Sequence, residues 1–265
     1  MQKEEAIKIY KSFASMKKLP IIASLAAMIA GLIIFFLNIN AGSLFIYIAL
    51  IFTGLCALCS LICFDYAILK VLKLFQKVSE VLNEDLDQEE YLQLTEAIVS
   101  YGKNSKPVWM QKPLYSAFQF QYISALVVNG MIMKAKEYLS QNGIRTKYFY
   151  NLAQVYIDLA EARSIGDNGK YIKTYESAPK AYKRVKIHSF VALIVQGKYD
   201  EAIDDLVNYT PKNKRDAVQR HMLLGEAYLK KGLVSEAKSH IEYVINIGKP
   251  LRELCRAEEL YKEAY

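Results

Sequence analysis

The stretch LGEAYLKKGLVSEAKSHIEYVINIGKP, Leu224 to Pro250, carries the pattern on which the rest of the chain can be aligned. Gly232 has an alanine five residues later (Ala237) and a large aliphatic nine later (Ile241); Tyr228 stands four before it and Gly225 seven before. The same offsets from Gly197 give Ala202, Leu206, Leu193 and Phe190, and from Gly130 they give Ala135, Leu139, Leu126 and Ile123. The glycines lie 67 and 35 residues apart, two periods and one, and Gly166 falls in the gap. Around them no alternating strand pattern occurs, and glycine or proline interrupts apolar periodicity at helix-length intervals, so the expected fold class is all-α. A fixed period in such a chain is the mark of a repeat array.

The period and positions resemble the tetratricopeptide repeat, a pair of antiparallel helices about 34 residues long. In the best copy, small residues at Gly225 and Ala237 let two helices cross closely, while Leu224, Tyr228 and Ile241 fill the space around the crossing. Lys183 to Pro211 matches with Phe190 in the small-residue position; residues 116–142 match too, and 150–180 places Tyr171 and Tyr175 where alanine and an aliphatic belong. The resemblance covers 106–249, with Leu251 to Tyr265 as a capping helix. It implies an α-solenoid whose groove is lined by the first helix of each repeat. The fifth position of each repeat then gives Phe120, Tyr156, Ile187 and Met222 as partner-binding candidates, or as packing between neighbouring repeats. These are mostly apolar, unlike the lysine and asparagine of repeats that grip chaperone C-termini, and they favour another protein or peptide segment.

Ahead of the repeats lie two runs without a charged residue, Leu19–Leu37 and Leu44–Phe64, joined by the polar turn Asn38–Ser43. About 20 apolar residues in a helix cross a hydrocarbon layer of about 30 Å, so 19–64 reads as a two-helix transmembrane hairpin in the lipid bilayer. Lys3, Lys8, Lys11, Lys17 and Lys18 precede it and Lys70, Lys73 and Lys77 follow, which places both ends, and the domain, on the cytoplasmic side of the cell membrane. The rival, a cleaved secretion signal, is disfavoured by a run too long for a signal core and by the poor cleavage site Ile39-Asn40-Ala41. Ala23, Ala27 and Gly31 form a small-residue stripe that would pack on Gly54 and Ala57 of the second run, or on a second copy in a homodimer. Residues 1–18 form an amphipathic helix, and 65–105 a helical stalk and linker. In the stalk Ile68, Val71, Phe75, Val78 and Leu82 repeat as a coiled-coil seam, matched by Ala6, Ile9, Phe13 and Met16. The acidic stretch Asn83–Glu90 closes the stalk and caps the next helix.

The net charge of +7 falls to +4 beyond Phe64, short of the dense basic face of a nucleic-acid binder, and Lys212, Lys214, Arg215 and Arg220 read as a solvated loop and helix start. Cys56, Cys59 and Cys63 share one helix face without histidine or carboxylate to complete a metal shell, and Cys255 is alone. His188, His221 and His240 lie in different helices with no HExxH spacing; there is no phosphate loop or nucleophile elbow, and the neighbours Asp204 and Asp205 diverge by about 100° on a helix. Trp109 and the tyrosines recur at helical spacing, as repeat core and rim. No cofactor, metal or enzymatic activity is expected. The expected function is a membrane-anchored scaffold or adaptor gripping a protein or peptide in its groove. The alternatives are a membrane-bound sensor of a peptide or small molecule, and a subunit of an envelope-assembly or transport complex.

Overall fold

The computed structural model describes residues 3–15, 29, 31–33, 43–105, 111–247, 249 and 251–264, and every regular element among them is helical. The chain divides into two compact units, Met1–Lys77 with Ser100–Lys112, and Val78–Val99 with Pro113–Tyr265.

In the first unit, α1 (Lys3–Ser15) carries Glu4 and Glu5 in its first turn, where the helix dipole favours them. It buries Ala6, Tyr10, Phe13 and Ala14. The Tyr10 ring meets Tyr101 edge-on at 6.2 Å, and Gln111 Nε2 donates to the Phe13 carbonyl at 2.9 Å. The helix α2 (Ser43–Asn83) runs unbroken for 41 residues, about 60 Å at 1.5 Å per residue. Its buried side chains in this unit are Ala67, Val71 and Leu74; of the expected stalk seam, Val71 is buried, while Ile68 and Phe75 are only half-buried. On the opposite side of the helix Ile51, Leu55, Leu58, Ile62, Tyr66, Leu69 and Leu72 form one exposed apolar stripe, each between 47% and 63% exposed. Lys70 Nζ lies over the Tyr66 ring, 4.5 Å from its centre.

Among the described residues no helix is long and apolar enough to cross a membrane. Most of Leu19–Leu37 lies outside them; Ile29, Leu32 and Ile33 are described and exposed. In Leu44–Phe64 the backbone is helical, and side chains are described only at Ile51, Gly54, Leu55, Leu58 and Ile62. Among the described residues, a Cβ on Gly31 or Gly54 would meet nothing within 4 Å, and the alanine partners expected for them in the small-residue stripe lie outside the described side chains. Ala23, Ala27 and Met16 fall outside the described residues.

The second unit opens with α3 (Gln88–Ser105), whose Gln88–Val99 portion belongs to it. Asp87 Oδ1 accepts from the Glu90 amide at 2.8 Å and so caps this helix, as the acidic stretch led one to expect. Helices then follow in pairs: α4 (Lys112–Val128) with α5 (Ile132–Asn142), α6 (Lys147–Ser164) with α7 (Asn168–Ser177), then the short α8 (Lys180–Lys183). Next come α9 (Lys186–Val195) with α10 (Tyr199–Asn208), α11 (Lys214–Lys230) with α12 (Val234–Asn246), and finally α13 (Arg252–Ala264).

One turn joins the helices of every pair. Gly130, Gly166, Gly197 and Gly232 sit at φ 74°, 71°, 76° and 78°, a left-handed conformation that costs a residue with a Cβ about 1–2 kcal/mol. After Gly130 the Met131 amide donates to the Leu126 carbonyl at 2.8 Å; Asp167 to Ala162, Lys198 to Leu193 and Leu233 to Tyr228 repeat this at 2.9, 3.0 and 2.9 Å. Each is a Schellman motif, which satisfies carbonyls the helix end would otherwise leave open. The pair at 147–177 therefore shares the turn of the others, and its Tyr171 is buried where they have alanine.

Ala135, Ala202 and Ala237 are fully buried. At the crossing of α11 and α12, a Cβ on Gly225 would lie 2.7 Å from Ile241 Cγ1, so glycine is what permits the approach. Core clusters form from each pair together with the first helix of the next, the nearest-neighbour packing of stacked repeats. The last cluster departs from that rule. It unites Val218, Met222, Ala237, Ile241 and Val244 with Leu251 just before α13, with Ala257 and Leu260 of α13, and with Leu86 from the loop before α3. Leu86 adopts φ 59°, a strained conformation for leucine that its burial compensates.

Candidate functional site

The first helices of three successive pairs present one face each to a common cleft of about 860 Å³. From α6 come Tyr156, Leu159, Ala160 and Arg163; from α9 Ile187, Val191, Ile194 and Val195; from α11 Gln219, Met222, Leu223 and Glu226. The spacings of three and four are those of a single helical face. The far wall is α13, with Arg252, Glu253, Cys255, Arg256 and Glu259.

Three of the four candidates read from the sequence, Tyr156, Ile187 and Met222, thus meet in this cleft, with Ile187 and Met222 6% and 5% exposed. Phe120 lies elsewhere. It is half-buried, its ring 6.2 Å from both Phe149 and Tyr156, in a cluster that also receives Leu92 of α3. Packing accounts for this difference: Phe149, Tyr156 and Leu92 of α3 surround Phe120, and Tyr91 beside Leu92 is itself buried.

Two polar arrangements frame the apolar floor. Arg163 of α6 pairs with the buried carboxylate of Glu226 on α11. Deeper, Glu253 of α13 accepts from Gln219 Nε2 at 2.9 Å and Gln88 Nε2 at 3.4 Å, and lies 3.7 Å from Arg215 Nη2. Arg215 and Glu253 are 14% and 15% exposed at the side chain. Burial opposes the charge on Arg215, but the Glu253 carboxylate and the Tyr156 and Tyr91 phenols outweigh it, and the guanidinium stays protonated. Its Nε is buried without a hydrogen-bond partner among the described residues.

His188, also on the cleft, stacks on Tyr182 with ring centres 3.9 Å apart, and its Nδ1 is 3.3 Å from the Tyr182 carbonyl. That carbonyl makes Nδ1 the protonated nitrogen and leaves Nε2 as an acceptor. Burial pushes its pKa down to about 4, with Arg215 adding to the effect against the Tyr182 hydrogen bond. Away from the cleft, folding joins His221 and His240, Nδ1 to Nδ1 at 3.0 Å, a contact invisible in their spacing. Burial and the neighbouring His240 and Arg220 hold His221 down to about 4. Among the described residues no group of three or more metal-ligating side chains converges.

Two of the four basic residues expected to be solvated are structural. Arg220 donates through Nε and Nη2 to the Leu206 and Val207 carbonyls at 2.7 and 2.9 Å, closing the end of α10. Arg215 is the inward one already described. The signal that would have found the cleft is the shared face of Gln219, Met222 and Glu226; no local pattern marks Gln88 or Glu253 as its partners. No family model, curated protein or solved structure matches this chain.

Proposed function

We propose that the chain is a membrane-anchored scaffold of the tetratricopeptide type that holds a peptide segment of a protein partner in the cleft of its repeats. The observation that carries this reading is the convergence of Tyr156, Ile187 and Met222, one from each of three stacked first helices, on one cleft with an apolar floor and charged rims. The repeating turn at Gly130, Gly166, Gly197 and Gly232 supports the family assignment. The bilayer supplies a cover for the exposed stripe Ile51–Leu72, which with the buried stripe opposite makes α2 apolar on two sides, as a helix outside water is. The surrounding lysines set the N-terminus and the repeats on the cytoplasmic face. Confinement to a surface raises the effective concentration of other membrane-held proteins, so a modest affinity suffices. The reading needs no cofactor, metal or catalytic group.

The test is crosslinking in membranes followed by identification of captured proteins, with Val191→Lys as the control. Val191 lines the cleft yet is only half-buried, so the substitution blocks the floor without unfolding the core. Partner recovery should fall at least tenfold while helicity is unchanged; undiminished recovery refutes the proposal. A second reading, a sensor of a small ligand, draws on the cleft volume, which lies within the roughly 300–1,000 Å³ of small-molecule sites. It requires a compound that raises the melting temperature of wild type and not of Val191→Lys.

A further inference from the structure

In α13 the residues Glu253, Ala257 and Leu260 follow at spacings of four and three and so share one helix face, which the fold turns inward. Ala257 and Leu260 enter the core beside Met222, a groove position, and Glu253 enters the polar cradle of Gln88, Arg215 and Gln219. One residue before Glu253, Arg252 Nη1 reaches the Val127 carbonyl at the end of α4 at 3.4 Å. α13 packs on α12 and α11 as a cap on the last pair does, and its contacts with Gln88 of α3 and Val127 of α4 carry it beyond that role toward the groove.

The fit at the cradle is incomplete. A guanidinium and a carboxylate in good geometry approach to about 2.7–2.9 Å, often through two parallel bonds. Here Arg215, which also hydrogen-bonds Tyr156, stands 3.7 Å from Glu253, the Gln88 bond is 3.4 Å, and Arg215 Nε has no acceptor among the described residues. A carboxylate reaching slightly further would satisfy both. Away from this face α13 is exposed at Cys255, Glu258, Glu259 and Lys262, of which Cys255 and Glu259 border the open cleft.

We propose that α13 is a displaceable internal occupant of the repeat groove, and that the partner is an amphipathic helix of the same kind, presenting a carboxylate in its first turn and small and large aliphatics four and seven residues later. The inference rests on the groove reading above and names the chemistry of its ligand. Glu253 is the guard, and Arg215 and Gln219 are the groups an incoming carboxylate takes over.

The test uses the full chain and a labelled synthetic peptide of residues 249–265. In hydrogen exchange of the wild type, α13 amides should exchange at least tenfold faster than those of α11, because the helix opens on its own. The peptide should bind Glu253→Lys at least tenfold more tightly than wild type, since the tethered copy no longer competes, and Arg215→Glu should abolish binding to both. Protection of α13 equal to that of α11, or peptide affinity unaffected by Glu253→Lys, overturns the proposal. The exchange arm needs no variant to fold, and partner recovery with Val191→Lys reads the groove proposal separately.

Discussion

Replacing Gly225 by alanine probes the tightest contact among the repeats. The new Cβ would lie 2.7 Å from Ile241 Cγ1, 3.5 Å from Ile241 Cδ1 and 3.6 Å from the Ala237 carbonyl oxygen. Unstrained carbon contacts sit near 3.5–4.0 Å, so Cγ1 must retreat by about 1 Å. It is bonded directly to Cβ, on a side chain with no exposed surface, and it cannot swing aside as a flexible tip would. Overpacking of this kind costs about 1–3 kcal/mol. Alanine returns about 1 kcal/mol through its helix propensity, which leaves a net loss of about 1 kcal/mol. Ile241→Ala alone should cost about 2–5 kcal/mol. In the double variant the added methyl enters the vacated space, so the combined loss should fall short of the sum by about 1–2 kcal/mol. Urea-dependent hydrogen exchange of the α11 and α12 amides measures all three. A Gly225→Ala variant that is more stable than wild type, with strictly additive behaviour in the double, would refute the close-crossing argument.

At the repeat turns, Gly197→Ala and Gly232→Ala should each cost about 1 kcal/mol, with asparagine milder, because φ is 76° and 78°; equal urea midpoints for wild type and alanine variants would contradict this. The folded pKa of His188 is depressed from the ordinary 6.5 to about 4, so the unfolded chain binds the proton more readily. Its contribution, on the order of 3 kcal/mol, is complete above pH 6.5 and is lost as pH falls toward 4; His221 and His240, both lowered and more accessible, act in the same direction. A His188→Phe variant, which keeps a ring against Tyr182, should flatten the stability curve over that window, and an unaltered slope would remove the assignment. Full-length protein should stay in the membrane pellet after an alkaline carbonate wash, and deletion of residues 19–64 should release it; recovery of the intact chain in the supernatant would end the bilayer reading.

The repeat turns were open to sequence reasoning because each depends on a local rule. Only glycine accepts a left-handed φ without penalty, so Gly130, Gly197 and Gly232 announced their own geometry, and a fixed distance to Ala135, Ala202 and Ala237 followed from the width of a helix pair. Even the pair at 147–177 was marked by Gly166, although Tyr171 obscured it. The site was less accessible. Tyr156, Ile187 and Met222 could be placed on one face by counting, but the position equivalent to theirs at Phe120 is taken by packing against Phe149, Tyr156 and Leu92. Arg215 read as a solvated cation because no carboxylate stands three or four residues from it; its counter-charge comes from Glu253, 38 residues on.

By itself the sequence determined the helical class, the period and turn of the pairs, and the two charge-free runs, since periodicity, glycine conformation and hydropathy act over a few neighbouring residues. Only the tertiary structure decided what surrounds the groove. It packed α13 on the last pair as one wall of the cleft, joined Gln88, Arg215, Gln219 and Glu253 into one cradle, and set His221 against His240. Those contacts link residues far apart in the chain, so no local pattern encodes them.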